Sequence, residues 1–138
     1  MKKINVLVDG AGGDVGQGVL KSLLDSKLNL ELYASCISTS SSWLYKIKNS
    51  FIFPFVNVKA FIDFLIDFLN KYQIDVYFPT VDSSLLKISK CKDEIEKHTN
   101  TKVFIEEYSK VKICDDKYLT YKFLIEISFT AHQTISMD

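Results

Sequence analysis

Four glycines, Gly10, Gly12, Gly13 and Gly16, follow directly on the apolar run Ile4, Val6, Leu7 and Val8. This spacing matches G-x-x-G-x-x-G, while Val15 occupies the last glycine position of G-x-G-x-x-G. Glycines at such a turn let the backbone approach a ligand closely. The helix that follows presents unpaired N–H groups and a positive dipole end to an anion. A phosphate or carboxylate is the guest such a loop accommodates, and a tight turn for helix–strand packing is the structural alternative. Asp82 is a second candidate, either as a helix cap or as a ligand contact at the end of a strand.

Other chemistry-bearing groups are more widely spread. Tyr118 and Lys122 form a Y-x-x-x-K match, the acid–base spacing of short-chain dehydrogenases and sugar-nucleotide epimerases. At i and i+4 on a helix the two side chains are also ordinary neighbours. A dinucleotide site needs an acid after the second strand for the ribose hydroxyls. That region reads Cys36-Ile37-Ser38-Thr39, with neither an acid nor an arginine. His98 and His132 are distant from each other and have no acid at metal-ligand spacing, so both are expected to face solvent, with no metal site. Asp93, Glu94, Glu96 and Lys97 read as a solvated helix face.

The elements that must position these groups alternate along the chain. Ile4–Val8 reads as a strand and Val15–Ser26 as a helix. Leu30–Ile37 reads as a second strand, Ser38–Ser42 as a polar connection and Trp43–Lys48 as a short helix. Phe51–Phe55 reads as a third strand, closed by Pro54. Val58, Phe61, Ile62, Leu65, Phe68, Leu69 and Tyr72 recur at three- and four-residue steps, with Lys59, Asp63, Asp67 and Lys71 opposite, which predicts an amphipathic helix. Asp75–Phe78 reads as a strand stopped by Pro79. A helix capped by Asp82 or Ser83 then runs toward Ile95, followed by a strand at Lys102–Ile105. Asp115 or Asp116 caps a last helix carrying Leu119, Phe123 and Leu124. Strands separated by helices predict an α/β fold, a Rossmann-like doubly wound parallel sheet of about five strands with helices on both faces. Ligands bind beyond the carboxyl ends of such strands. That edge gathers the Gly10–Gly16 loop, Ser38–Ser42 and Pro79–Asp82.

Composition narrows the function. The 138 residues suit one domain with a sizeable core. Seventeen basic side chains, all lysine, balance seventeen acidic ones. This neutrality argues against a nucleic-acid surface. Without arginine, an anion must be held by backbone amides, lysine and hydroxyls. No apolar run reaches the roughly 18 to 20 residues that span a bilayer. Asp9 breaks the first apolar run early, so Met1-Lys2-Lys3 reads as the approach to a strand rather than a signal peptide. Cys36, Cys91 and Cys114 are widely spaced, without a CxxC pair, and fit free thiols in a reducing, cytoplasmic compartment.

Three blocks together resemble the N-terminal, pre-ATP-grasp domain of ATP-grasp ligases similar to the large subunit of carbamoyl-phosphate synthase. They are VLVDGAGGDVGQGVLKSLL (Val6–Leu24), DVYFPTVDSSLLKISKCKDEIE (Asp75–Glu96) and VKICDDKYLTYKFLIEISFTAHQT (Val111–Thr134). They span nearly the whole chain in the family's order, although His132 stands where relatives commonly have proline. The resemblance implies a pre-ATP-grasp domain over residues 1–114 and the start of the ATP-grasp portion over 115–138. It implies a wall of a cleft in which ATP phosphorylates a substrate carboxylate, or bicarbonate, to an acyl phosphate, and an amine or ammonia then displaces the phosphate. Gly10, Gly12, Gly13 and Gly16 would belong to that wall, with Asp82 nearby, and Lys117 of the Asp-Lys pair would contact nucleotide phosphates. ATP and magnesium are expected only for the complete enzyme, because the glycine-rich lid, the ATP-gripping lysines and the metal carboxylates are not in this sequence. No residue of this segment is expected to be catalytic alone. The implied partners are a small carboxylate substrate and an ATP-grasp domain in cis or on a separate chain, with self-association through the terminal segment a further option. The rival expectation is an NAD(P)-binding Rossmann fragment of a dehydrogenase or epimerase, and a third is a non-catalytic module.

Overall fold

The computed structural model describes residues 3–127. The elements in order are β1 (Ile4–Val8), α1 (Asp14–Leu24), β2 (Leu30–Cys36), a 3₁₀ turn (Ser42–Tyr45) and β3 (Asn49–Ile52). There follow α2 (Phe61–Lys71), β4 (Val76–Phe78), α3 (Asp82–Lys90), α4 (Lys92–His98), β5 (Lys102–Val103), α5 (Tyr108–Asp115) and α6 (Lys117–Glu126). The five strands form one sheet in the order β3-β2-β1-β4-β5, and every pairing is parallel. This is the α/β, Rossmann-like doubly wound arrangement expected from the sequence.

Alternation along the strands divides the core between the two faces of the sheet. Val6 and Val8 of β1, Ala34 of β2, and Val76 and Phe78 of β4 pack with Leu20 of α1 and Trp43 and Leu44 of the 3₁₀ turn. Leu7, Tyr77 and Val103 point to the other face, against Phe61, Leu65, Phe68 and Leu69 of α2, Ile88 of α3 and Ile95 of α4. That second face is aromatic: Phe53 meets Phe64 and Phe68 edge-on, with ring centroids 5.1 and 4.8 Å apart. The periodicity of α2 is realised, with Phe61, Ile62, Leu65, Phe68 and Leu69 buried and Asp63, Asp67 and Lys71 exposed.

Several boundaries differ from the sequence reading. The third strand occupies Asn49–Ile52 rather than Phe51–Phe55. Phe53 N–H still donates to Cys36 O at 2.9 Å, and Pro54, which has no N–H, ends the pairing there. The helix expected to run from Asp82 to Ile95 is two helices, broken at Cys91, whose N–H donates to both Lys87 O and Ile88 O. Asp82 does not cap it: Val81 holds the extended N-cap conformation, and Asp82 is the first helical residue, exposed. Helix α5 was not anticipated, because only Val111 of its eight residues is buried and it shows little apolar periodicity. The cap of the last helix is as expected, with Asp116 Oδ1 accepting from the N–H groups of Tyr118 and Leu119 at 2.8 and 3.0 Å.

Candidate functional site

At the carboxyl edge of the sheet, β1 continues directly into the glycine turn. Asp9 N–H donates to Phe78 O of β4 at 3.1 Å, and Ala11 N–H donates to Ser35 O of β2 at 3.0 Å. The chain therefore crosses between its two neighbouring strands as it leaves the sheet. Gly13 N–H closes the turn onto Gly10 O at 2.8 Å.

The glycines do different jobs. Gly10 has φ of +68°, and a Cβ there would lie 2.5 Å from Val81 Cγ2 and 2.7 Å from Thr80 Oγ1. Its conformation and its crowding both demand glycine. Gly16 is buried where the first turn of α1 rides on the Gly10 carbonyl, leaving no room for a side chain. Gly12 and Gly13 are exposed on the outer side of the turn. Gly12 lies beside Cys36 Sγ and Ser41, whose buried hydroxyl has no hydrogen-bond partner among the described residues. Gly13 is the N-cap of α1 and uses no side-chain cap, although Asp14 stands in the first turn.

The side-chain chemistry of this edge lies on the α2 and α3 side, and its main residue is Asp9, which the sequence presented only as a break in an apolar run. Val8 pairs with Ala34 and packs into the α1 face, so the next residues, Asp9 and Ser35, both turn to the opposite face. Asp9 is 6% exposed. Tyr77 Oη donates to Asp9 Oδ2 at 2.7 Å, and Thr80 N–H donates to Oδ1 at 3.3 Å. Thr80 Oγ1 donates to the Asp9 carbonyl at 2.5 Å. Burial raises the Asp9 pKa above the ordinary carboxylate value, against the lowering pull of the Tyr77 and Thr80 hydrogen bonds. Burial, with the adjacent Asp9 charge, also pushes the Tyr77 phenol well above its usual range. Tyr77 is thus a neutral donor that holds Asp9 in place.

Asp9 and Ser35 open onto a cavity of about 130 Å³, walled by Phe53, Phe61, Val81 and Ser84 among others. The Ser35 hydroxyl is buried and has no hydrogen-bond partner among the described residues, an orphan of the kind a ligand can satisfy. Ser84 is committed elsewhere, donating to Val81 O at 2.8 Å. The outer wall is the segment after β3, pinned by Lys87 Nζ, which donates to Val56 O at 2.5 Å and Val58 O at 3.2 Å. A wider groove of about 320 Å³ lies at the opposite edge, near Leu28, Glu31 and Lys48. It sits by the amino ends of the strands, where open α/β sheets do not usually place ligands.

Of the four glycines, Asp82 and Lys117, Gly10 alone lines the cavity; Ser83, the alternative cap, and Cys36 at the end of β2 line it too. Gly12 and Gly13 flank it on the outer turn, Gly16 is structural, and Asp82 is exposed beside Val81 and Ser83 without lining it. Lys117 is exposed at the start of α6 and is not brought to the cavity. In the Tyr118 and Lys122 pair, the ammonium lies 4.6 Å from the centre of an exposed ring, over its face, a surface contact between helical neighbours. His98 is exposed, and His132 lies outside the described residues. Among the described residues no three His, Cys, Asp or Glu side chains gather in a group that could hold a metal ion. Within the same residues, no helix is long and apolar enough to cross a membrane.

No protein-family model matches the chain, and no curated protein is significantly similar to it.

Proposed function

We propose that this chain is a substrate-binding domain of the pre-ATP-grasp type, forming one wall of the cleft of a carboxylate–amine ligase. The observation that carries this reading is the edge cavity, with a buried carboxyl, an orphan hydroxyl and a glycine turn at the carboxyl end of a parallel sheet. Burying Asp9 raises its pKa and so costs stability, a cost that sites for ligands commonly carry. The block order in the sequence points the same way.

The carboxylate substrate belongs at the outer turn, where Gly12 and Gly13 are exposed. With Asp14 in the first turn and no cation lining this edge among the described residues, the turn supplies amides only. The neutralising charge comes from the ATP-grasp portion, in cis or on another chain. The residues described here do not form a magnesium site, and no catalytic step is assigned to them. A reducing, cytoplasmic setting suits the free thiols of Cys36, Cys91 and Cys114.

The test is co-expression with the reading frame that continues or adjoins this one, followed by ADP release across a panel of small acids. ADP release that needs both an acid and this domain is the expected result. No acid-dependent turnover, together with tight NAD or NADP binding followed through Trp43 fluorescence, would replace the reading with the dehydrogenase alternative.

A further inference from the structure

We infer that the Asp9 and Ser35 cavity receives a small ammonium or hydroxyl compound with an apolar body, the acceptor rather than the acid. This assignment rests on the reading of the carboxyl edge as a substrate site, and it names what the inner part of that site holds.

The argument begins with charge. Among the described residues Asp9 is the only Asp, Glu, Lys or His that lines the cavity, and it is almost wholly buried. A second carboxylate placed beside this buried acid would be repelled, and no cation among the described residues lines the cavity to offset it. Lys87 does not line the cavity, and its ammonium is engaged by the Val56 and Val58 carbonyls. A hydrogen-bond donor meets the opposite situation. The Asp9 carboxyl oxygens accept one bond each, from Tyr77 and Thr80, and a carboxylate has about four acceptor positions in all. Ser35 Oγ is an additional unused partner on the same face. An ammonium or hydroxyl group seated between them would satisfy the orphan and offset the burial of the acid.

Size and lining set the rest of the ligand. An apolar cavity of roughly 150 Å³ holds benzene. The volume here, about 130 Å³, therefore suits a body of about five or six non-hydrogen atoms. Phe53 and Phe61 are almost wholly buried, at 5% and 3% exposed, and supply rings suited to alkyl groups and to an adjacent cation.

Calorimetric titration of the intact chain with cyclopentylamine, cyclopentanol and cyclobutanecarboxylate tests this directly. The amine is expected to bind at least about tenfold more tightly than the acid, with the alcohol between them. Asp9→Asn should abolish that preference with the circular dichroism spectrum unchanged. If Asp9→Asn fails to fold, Ser35→Ala serves, and should weaken the amine several-fold while leaving the acid unaffected. An acid that binds as well as the amine overturns the inference and leaves the substrate-site reading standing. Failure of all three probes to bind overturns both.

Discussion

Asp9 and Tyr77 stand 68 residues apart in sequence and meet as a buried, hydrogen-bonded pair. Because burial raises the Asp9 pKa, the folded state holds this proton more tightly than the unfolded chain does. Its contribution to stability is therefore fully present below the unfolded value and is lost as pH rises through the folded value. At neutral pH the acid costs the domain stability, and Asp9→Asn should stabilise it by about 1 kcal/mol. That advantage should shrink as the pH is lowered toward 4, the region of the unmodified Asp value, 3.8. Chemical denaturation of both proteins at the two pH values checks it, and an Asn variant less stable at neutral pH would contradict it. A charged residue closing an apolar strand immediately before a glycine was the signal available in the sequence. Its significance depended on Tyr77 and Ser35, which only the sheet register brings near.

Among the elements, α1 shows how far a glycine pattern can be read. The sequence located the turn and the helix, but the pattern could not separate glycines that face a ligand from those that permit packing. Gly16 is of the second kind, held against the Gly10 carbonyl, whereas a Cβ at Gly18 would meet nothing within 4 Å. Gly16→Ala should therefore destabilise by roughly 1 to 3 kcal/mol through overpacking. Gly18→Ala should stabilise by about 0.4 to 1 kcal/mol, by restricting the unfolded chain and improving helix propensity. Equal effects of the two substitutions in thermal unfolding would overturn this division of roles. Local chemistry was legible elsewhere too, as with Asp116, whose carboxylate caps α6. The break at Cys91 and the existence of α5 were not, since neither follows from apolar periodicity or from a Gly or Pro signal.

For the whole molecule, alternating strand and helix signals sufficed to predict the parallel sheet, because consecutive parallel strands need a crossover connection that a helix supplies. The order β3-β2-β1-β4-β5 then decides what can be neighbours. It sets the end of β1 between the ends of β2 and β4, so Asp9 can touch β4 through Tyr77 while sharing a cavity with Ser35. Helix α6, which follows the last strand and packs with α5, has no buried residue, and Lys117 at its start does not line the cavity. The family resemblance offered Lys117, and the strand end offered Asp82, as companions to Gly10, and three-dimensional placement separates them.

The central claim is that ligand chemistry belongs to the carboxyl edge on the α2 and α3 side. Backbone amide NMR of the isotope-labelled chain, titrated with cyclopentylamine, tests it most directly. The account predicts that shift changes concentrate at Gly10, Ser35, Val81 and Ser84. Changes centred instead on Leu28, Glu31 and Lys48, at the amino edge of the sheet, would contradict it.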